Sequence, residues 1–320
     1  MHEIKKYLEK DLDSFQRNFK DAVKSKVSLL DKIMHYIVRT KGKQLRPMFV
    51  LLSARLNGEV NEQVFRAASL IELLHTASLV HDDVVDDSLQ RRSFFSINAL
   101  WKNKIAVLVG DYLLSKGLLL SLGNGDFKIL EILSDAVREM AEGELLQAEK
   151  ARKLDITEAV YFEIIRGKTA SLISSAFGAG AYAASADESK TSLMRLFGEK
   201  VGMAFQIRDD LFDYGKADVG KPTGNDIKEK KMTLPLIYTL NLCDRATRKK
   251  IISIFKKPAK NKHELGFIIQ TVTEFGGIRY AEEKMNQLIQ ESFALLDEYP
   301  DGDPKKYLKQ LVQYTIERDK

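Results

Sequence analysis

The stretch from Phe65 to Asp87 reads FRAASLIELLHTASLVHDDVVDD, and it decides the fold class. Apolar and small side chains recur in it at intervals of three and four, the period of an α-helix with one buried face. The residues on this repeat are Phe65, Ser69, Leu70, Leu73, Leu74 and Ala77. The alternation of a β-strand between glycine-rich turns is absent. The segment therefore predicts a long helix that ends in an acidic cluster.

The prolines extend this prediction to most of the chain. None of the six falls between Met48 and Lys221. A proline inside a helix costs about 3 kcal/mol, so a long proline-free run is typical of helical proteins. Turn-forming residues predict helix breaks near residues 57–58, 122–125, 153–156, 185–188 and 214–225. We predict an all-α fold, a single large helical bundle that forms one domain over residues 1–320.

Composition narrows the class of protein. The 320 residues are 44% hydrophobic and 30% charged, with a net charge of +5, which allows a large core and indicates no disordered block. The lone cysteine, Cys243, excludes an internal disulfide framework and suits a reducing compartment. The charged N-terminus lacks the apolar core of a signal peptide. We expect a cytoplasmic protein that has no nucleic-acid partner.

One segment imitates a membrane span. It is IAVLVGDYLLSKGLLLSL, from Ile105 to Leu122. It has spanning length, but Asp111 and Lys116 lie inside it, and charges in the middle of a bilayer are costly. We expect a helix buried in a large soluble protein.

The acidic cluster HDDVVDD, residues 81–87, predicts a metal site. At helical spacing Asp82 lies over Asp86, and Asp83 over Asp87. Like charges beside apolar helix need a counter-ion to remain ionised. Carboxylates one turn apart suit magnesium, which keeps several waters and accepts substrate phosphates as further ligands.

A second cluster, FQIRDDLFD, covers residues 205–213. Asp209 and Asp213 again lie four apart, with Asp210 beside them. One such cluster alone is more often a solvated helix face. Because both clusters follow apolar helix, we interpret them as a two-sided magnesium cage.

Short basic motifs accompany the aspartates, as a diphosphate site requires. Each is weak alone, because surface lysines and arginines are common. They comprise Lys43 and Arg46 of GKQLRP, Arg91 and Arg92, Lys168 and Thr169 of RGKTA, and Lys221 and Lys231 of GKPTGNDIKEKKMT. Pro47 of GKQLRP can open a helix, RGKTA stands at a predicted helix start, and GKPTGNDIKEKKMT is a lid-like loop.

The basic segment KKPAKNKH, residues 256–263, has no acidic motif nearby. We interpret it as a solvated connection, with contact to an anionic membrane as the lesser alternative.

As a set, these motifs resemble the trans-isoprenyl diphosphate synthases, or polyprenyl synthetases, of the long-chain type. The resemblance runs from about Lys43 to the C-terminus. Its elements are DDVVD at 82–86 with the following arginine pair, DDLFD at 209–213 with the preceding Phe205-Gln206, GKQLRP at 42–47, GDYLL at 110–114 and the closing YTIERDK.

The resemblance implies a helical bundle of the isoprenoid synthase type that condenses isopentenyl diphosphate with an allylic diphosphate. It implies three magnesium ions per active site, held by Asp82, Asp83, Asp86, Asp209 and Asp213. It assigns the allylic diphosphate to Arg91, Lys168, Lys221 and Lys231, and isopentenyl diphosphate to Lys43, Arg46, His75 and Arg92. Asp210, Thr169 and Gln206 join the catalytic set, the last two near positive charge. The family also implies a homodimer.

Three positions need comment. A lone histidine on an apolar helix is usually a core residue, but the family position favours a ligand role for His75. The family usually has glycine at the positions of Ser93 and Lys230 in this chain. Neither departure removes a charged ligand, although Ser93 strains the chain if glycine serves there for positive φ.

Product length depends on the residues before the first motif. Ala77 and Ser78 lie about one turn from Asp82, and Leu74 follows on the same face. Bulky aromatics at these positions stop elongation in the resembling family. Small residues therefore predict an open tunnel and a long all-trans product, around octaprenyl, with weak membrane contact through that lipid. A geranylgeranyl or farnesyl product is the alternative, and small residues also serve to let two helices approach closely.

Three rival functions remain at this point. A terpene cyclase shares the metal logic but takes one diphosphate substrate. A histidine–aspartate phosphohydrolase would use His35, His81 and Asp82, although the chain has only five histidines. A non-catalytic subunit of a heteromeric synthase would have lost acidic ligands, and both clusters are intact.

Overall fold

The computed structural model describes residues 1–40, 42–91, 94–154, 156–215, 224–257 and 259–317. These residues are almost entirely helical. The helices are α1 (His2–Tyr7), α2 (Glu9–Val23), α3 (Ser28–Arg39), α4 (Leu45–Asn57), α5 (Glu62–Val85), α6 (Ile97–Trp101), α7 (Asn103–Leu122), α8 (Phe127–Lys153), α9 (Glu158–Ile165), α10 (Ser171–Ser185), α11 (Glu188–Leu211), α12 (Asn225–Lys228), α13 (Leu234–Leu242), α14 (Arg245–Lys256), α15 (Lys262–Glu274), α16 (Gly277–Leu295) and α17 (Asp303–Glu317).

Short features of other kinds lie between the α-helices, among them a 3-10 turn, Leu296–Glu298, after α16. A π-helical turn, Arg166–Ala170, joins α9 to α10, and a 3-10 turn, Phe212–Tyr214, follows α11. A small antiparallel hairpin consists of β1 (Gln90–Arg91) and β2 (Phe94–Phe95). The prediction of an all-α fold is confirmed.

The helix breaks fall where turn-forming residues predict them. The breaks near residues 57–58, 122–125, 153–156 and 185–188 are all present. Most of the fifth predicted break, residues 214–225, lies outside the described residues. Local sequence is sufficient for these boundaries because a helix ends where its last turn meets glycine, asparagine or aspartate.

The chain forms two compact units, each assembled from separate segments. Unit 1 comprises Met1–Val137, Leu172–Arg195 and Tyr299–Gln310. Unit 2 comprises Arg138–Ser171, Leu196–Glu298 and Leu311–Lys320. The single-domain prediction stays a prediction.

Unit 1 is organised around α5, which packs closely against α7. A Cβ atom added to Gly117 of α7 would lie 2.7 Å from Leu70 Cδ1 of α5, so the two helices approach closely at this glycine. At the other end of the contact, His81 Nε2 lies 3.2 Å from the carbonyl oxygen of Val107. Near the start of α5, Arg66 Nε forms an ion pair with Asp126 Oδ2 at 2.6 Å, and the Asp126 side chain is buried.

The expectation that the segment Ile105–Leu122 is buried is wrong. Only 33% of the apolar window in Ile97–Leu122 is buried, although this stretch is long and apolar enough to cross a membrane by length and composition. One face of α7 covers α5, while the opposite face leaves apolar side chains in solvent. These exposed side chains are Val107, Leu108, Leu118, Leu119 and Leu122.

Unit 2 has its own apolar core, built from α9, α11 and the helices α13 to α16. Its fully buried members include Ile207, Leu234, Phe255, Ile268 and Ala281. A polar contact adds to this packing: the Tyr280 hydroxyl donates to Glu158 Oε1 at 2.6 Å, which ties α16 to the first residue of α9. This core supports the ends of α9 and α11, where the predicted catalytic residues lie.

Candidate active site

The first aspartate motif lies at the carboxyl end of α5, in unit 1. Asp82 and Asp83 stand in the last turn, Asp86 is the C-cap, and no basic residue accompanies them there. Asp82 and Asp86 are exposed, whereas Asp83 is buried. The last carbonyl groups of a helix carry partial negative charge, so carboxylates at this end repel the helix as well as one another. This arrangement favours a bound cation.

The expected stacking of Asp87 over Asp83 is wrong. α5 ends at Val85, and Asp87 has φ of 49°, in the left-handed region. The amide of Ser88 then donates to the carbonyl of Asp83 at 2.9 Å, which closes a Schellman-type helix end. The turn takes Asp87 off the helix, so Asp82, Asp83 and Asp86 are the carboxylates that this helix end presents.

The second motif lies at the corresponding end of α11, in unit 2. Asp209 and Asp210 are in its last residues, and Asp213 follows in the 3-10 turn. The two oxygens of Asp213 accept the backbone N–H groups of Asn225 at 2.7 Å and Asp226 at 3.0 Å. Asp213 therefore holds the start of α12, and its remaining lone pairs are those available to a metal.

One cavity in unit 2 brings together seven of the predicted site residues. Its volume is about 270 Å³, and apolar side chains such as Ile156 and Ile164 form part of its wall. The predicted residues that line it are Lys168, Thr169, Gln206, Asp209, Asp210, Asp213 and Lys231.

Burial makes this cavity a poor place for uncompensated carboxylates. Burial raises the pKa of Asp210 to about 7. It raises the pKa of Asp226 to about 6, and the charge of Asp213 adds to that effect. The pKa of Asp213 is itself raised by burial. A divalent cation would offset the charge that these shifts reveal.

The carboxylates of the two motifs fit magnesium better than a metal whose ligands all come from the protein. Among the described residues, no three histidine, cysteine, aspartate or glutamate side chains are grouped so as to hold a metal. Magnesium keeps several waters and takes phosphate oxygens, so a few carboxylates at each helix end are sufficient for it. A metal-dependent phosphohydrolase of the histidine–aspartate type requires a fuller set of protein ligands.

Sequence reasoning missed Asp226, which lines the same cavity. Lys231 Nζ lies 3.9 Å from Asp226 Oδ1 and 2.6 Å from Glu229 Oε2. The sequence contains an indication of this role, because Asp226 is an acidic residue in a segment that is rich in lysine. Lys231 is thus held by carboxylates at the edge of the cavity.

Four residues that line the cavity form a chain of hydrogen bonds. Sequence reasoning also missed the last of them, Tyr161. The Thr169 hydroxyl donates to Gln206 Oε1 at 2.7 Å, and Gln206 Nε2 donates to Asp210 Oδ1 at 2.8 Å. The Tyr161 hydroxyl donates to the other oxygen of Asp210 at 2.7 Å. Tyr161 is 3% exposed, and no motif in the neighbouring sequence indicates that its hydroxyl belongs to a polar network.

The sequence predicts that the RGKTA motif starts a helix, and this prediction is wrong. The motif forms the π-helical turn between α9 and α10. Such turns are frequent at functional sites because the extra residue re-aims nearby side chains. Within it, Lys168 Nζ pairs with Glu144 Oε2 at 2.7 Å and contacts Gln147 Oε1 at 3.3 Å. Lys168 is therefore already oriented by α8.

Lys43, Arg46 and His75, the described members of the predicted isopentenyl diphosphate set, belong to unit 1. α4 begins at Leu45 rather than at Pro47. Arg46 therefore lies in the first turn of this helix, and so does Pro47, because proline is tolerated in a first turn. His75 is buried and, with Asp83 and the two neighbours of Lys43, Gly42 and Gln44, lines a second cavity of about 120 Å³. Its remaining wall is largely aromatic and aliphatic: Phe15, Phe19, Tyr36, Leu79, Phe94 and Phe95.

Comparison with known proteins decides the family. The profile of the polyprenyl synthetase family matches residues 27–272. The chain belongs to the polyprenyl synthetase family. Its members are prenyltransferases, and this chain is therefore a prenyltransferase.

Individual members of the family match over the whole chain. The octaprenyl diphosphate synthase of Escherichia coli (strain K12) is 31% identical, over 100% of this chain and 99% of that protein. A decaprenyl diphosphate synthase from Rhodobacter capsulatus superposes with a TM-score of 0.94 at 34% identity, covering 100% of this chain and 99% of that one. A polyprenyl synthase from Caulobacter crescentus, solved with calcium and isoprenyl diphosphate, has a TM-score of 0.90 at 31% identity, covering 99% and 97% of the two chains.

Some residues that the polyprenyl synthetase resemblance assigns lie outside the described part of the structure. These are Arg92, Ser93, Lys221 and the side chain of Arg91. Lys230 is described and has φ of 61°, so this synthetase places a lysine where the backbone favours glycine. That conformation explains the glycine usual at this position.

The predicted chain-length residues of this polyprenyl synthetase lie on α5. Ala77 is fully buried and stands on the face of α5 that carries Leu70, Leu74 and His81, the face packed against α7. This placement supports the alternative that Ala77 is small to allow close helix packing. Ser78 is half-buried, and its hydroxyl donates to the carbonyl of Leu74 at 3.1 Å.

Proposed function

We propose that this chain is a magnesium-dependent polyprenyl diphosphate synthase. It condenses isopentenyl diphosphate repeatedly with an allylic diphosphate, such as farnesyl diphosphate, to an all-trans product of around octaprenyl length. The unit 2 cavity carries the proposal, because it combines the carboxylates Asp209 and Asp213 with the cations Lys168 and Lys231 beside apolar walls. A geranylgeranyl or farnesyl product is the alternative.

The carboxylates of both motifs supply the metal ligands. In this proposal Asp82, Asp83 and Asp86 at the end of α5, and Asp209 and Asp213 at and just after the end of α11, would be the ligands of three magnesium ions per active site. When bound, magnesium withdraws charge from the diphosphate that leaves the allylic carbon.

The residues of the chain then divide the remaining work. Lys168 and Lys231, with Arg91 and Lys221, bind the diphosphate oxygens, while Lys43, Arg46, His75 and Arg92 bind isopentenyl diphosphate. The allylic C–O bond breaks, the double bond of isopentenyl diphosphate attacks the cation, and the released diphosphate takes the proton that is lost. Thr169 and Gln206 place oxygen atoms beside the positive charge. The apolar wall excludes water, which would quench the cation.

The exposed face of α7 supports a homodimer. Contiguous apolar side chains on one helix face are uncommon on a monomer and mark an interaction surface. Leu108, Leu119 and Leu122 are 55%, 64% and 49% exposed. A second copy of the chain that covers this face would account for an apolar helix whose other side already packs on α5.

The basic face of α14 supports weak contact with anionic membrane, where a long prenyl product would partition. Arg245, Arg248, Lys249 and Lys256 share this face with Ile252. Each such charge near an anionic surface contributes about 1 kcal/mol. We propose a cytoplasmic enzyme that meets the membrane surface and binds no nucleic acid.

Product analysis tests the proposed function. The protein is incubated with farnesyl diphosphate, radiolabelled isopentenyl diphosphate and magnesium, and the dephosphorylated products are separated by chain length. We expect long-chain alcohols that require both substrates and disappear with a chelator. A product formed without isopentenyl diphosphate would indicate a cyclase, released phosphate alone a hydrolase, and no product a non-catalytic subunit.

A further inference from the structure

A fully buried tyrosine ends the hydrogen-bond chain in unit 2. The chain runs from Thr169 through Gln206 to Asp210, with steps of 2.7 and 2.8 Å, and Tyr161 closes it at 2.7 Å. Each link joins side chains only, and Tyr161 and Asp210 are 3% and 6% exposed. A network of this kind in a low-dielectric interior is costly unless every member is satisfied.

The geometry gives a direction to each bond. Gln206 turns its amide N–H toward Asp210 Oδ1, at 2.8 Å. Its carbonyl oxygen then faces Thr169, and a carbonyl accepts only. The Thr169 hydroxyl must therefore donate its proton to Gln206, which leaves its lone pairs for positive charge in the cavity that it lines.

Tyr161 occupies the position that anchors this order. Asp210 has two oxygens; Gln206 uses one, and Tyr161 binds the other from α9. Without the phenolic hydroxyl, the carboxylate loses one of its two donors and is free to rotate about its bond to Cβ. Gln206 and Thr169 would then lose their fixed orientation, although neither touches Tyr161 through a hydrogen bond in the chain.

We propose that Tyr161 is a positioning residue for the condensation: through Asp210 and Gln206 it orients the Thr169 hydroxyl so that its oxygen faces the developing cation. This inference rests on the proposed function. It adds to that function a residue outside the aspartate and lysine motifs. The competing explanation is that Tyr161 only fastens α9 to α11.

The first test is the single-turnover rate of the first condensation in Tyr161→Phe, which keeps the ring and removes the hydroxyl. We expect a loss of roughly tenfold, the low end for residues that orient a functional group from behind. Apparent KM for both substrates should stay within about twofold, because uniform substrate binding is untouched. The matched control is Tyr280→Phe, which removes a hydroxyl hydrogen bond of 2.6 Å to a different carboxylate, Glu158 of α9; its rate should equal that of wild type.

A double-mutant cycle separates orientation from fastening. In a Thr169→Val background, Tyr161→Phe should slow the reaction less than about twofold further, because its effect passes through that hydroxyl. The same non-additivity is expected in a Gln206→Leu background. If Tyr161→Phe costs the same factor in these backgrounds as in wild type, or costs nothing in wild type, the proposal is overturned.

A second variant covers the case in which Tyr161→Phe is poorly folded, as judged by circular dichroism. Asp210→Asn keeps the volume but retains only one acceptor, so one of its two donors must lose its partner. A loss of rate that is again non-additive with Thr169→Val supports the proposal, and an additive loss contradicts it. Wild-type protein that fails to condense the two diphosphates contradicts the proposed function instead, so the two failures are distinguishable.

Discussion

Single carboxylates at two helix ends should decide whether the enzyme turns over. Asp82→Ala and Asp209→Ala are expected to lower kcat by orders of magnitude, since both side chains are proposed metal ligands and neither belongs to the apolar core. The far-ultraviolet circular dichroism spectrum should be unchanged. The measurement is steady-state turnover across a magnesium titration. Full activity in either variant at wild-type magnesium would remove the metal assignment.

Lys230 offers a test of backbone strain at a single residue. It sits at the left-handed position that ends α12, where Lys231 N–H donates to Asp226 O at 2.8 Å and Lys230 N–H to Ile227 O at 3.3 Å. Lys230→Gly should raise the free energy of unfolding by about 0.5–1 kcal/mol, because glycine adopts this conformation without steric cost.

Urea unfolding measures the effect of Lys230→Gly, with Lys228→Gly as the control. Lys228 is the last helical residue of α12, so glycine there should be neutral or destabilising. Equal effects of the two substitutions would show that the positive φ of Lys230 is not the cause.

At the scale of elements, the α5–α7 contact governs what a change at Ala77 means. If the growing chain runs along α5, Ala77→Phe should truncate the product while sparing the first condensations. Because Ala77 is fully buried on the face packed against α7, the ring should also destabilise the protein, by about 1–3 kcal/mol of overpacking. Product chromatography and thermal unfolding are therefore measured together.

Ala77→Ser is the control, since it keeps the position small and should leave product lengths as in wild type. Ser78→Phe is the cleaner test of the tunnel, because Ser78 is only half-buried. An unchanged product distribution in both phenylalanine variants would contradict the tunnel. A product that already stops at farnesyl diphosphate in wild type would do the same.

The basic face of α14 can be tested as an element. Lys249→Glu combined with Lys256→Glu should weaken binding to phosphatidylglycerol-containing vesicles about tenfold or more, and binding should fall with added salt. The matched control, Lys5→Glu with Lys10→Glu, makes the same charge change on α1 and α2. Co-sedimentation with and without the anionic lipid is the measurement. Equal loss in both pairs would indicate a general charge effect and no docking face.

At the scale of the whole molecule, the exposed face of α7 should determine the oligomeric state. Wild type is expected to elute at twice the 36.3 kDa mass of the chain. Leu108→Glu with Leu119→Glu should produce a monomer, because charge in an apolar interface costs more than the contact gains. Light scattering after size exclusion makes the measurement. Leu242→Glu, at an exposed leucine of α13, is the control, and a wild-type monomer would contradict the proposal.

Local rules carried much of the sequence prediction. The all-α class and four helix breaks follow from apolar period, proline spacing and turn residues, which act over a few neighbours. The same rules failed where a helix end changes direction. Asp87 leaves the helix because the chain enters a left-handed turn there, and RGKTA forms a π-helical turn between α9 and α10.

The sequence by itself determined the fold class and the family, because apolar period, proline spacing and short motifs can be read along the chain without knowing which helices meet. The tertiary structure alone decided that one face of α7 stays in solvent and that Ala77 lies on the face of α5 packed against the other side of α7. It alone joined Tyr161 to Asp210, which lie 49 residues apart. Burial and side-chain pairing of this kind depend on which helices meet, and helical period reports only which face of each helix is apolar.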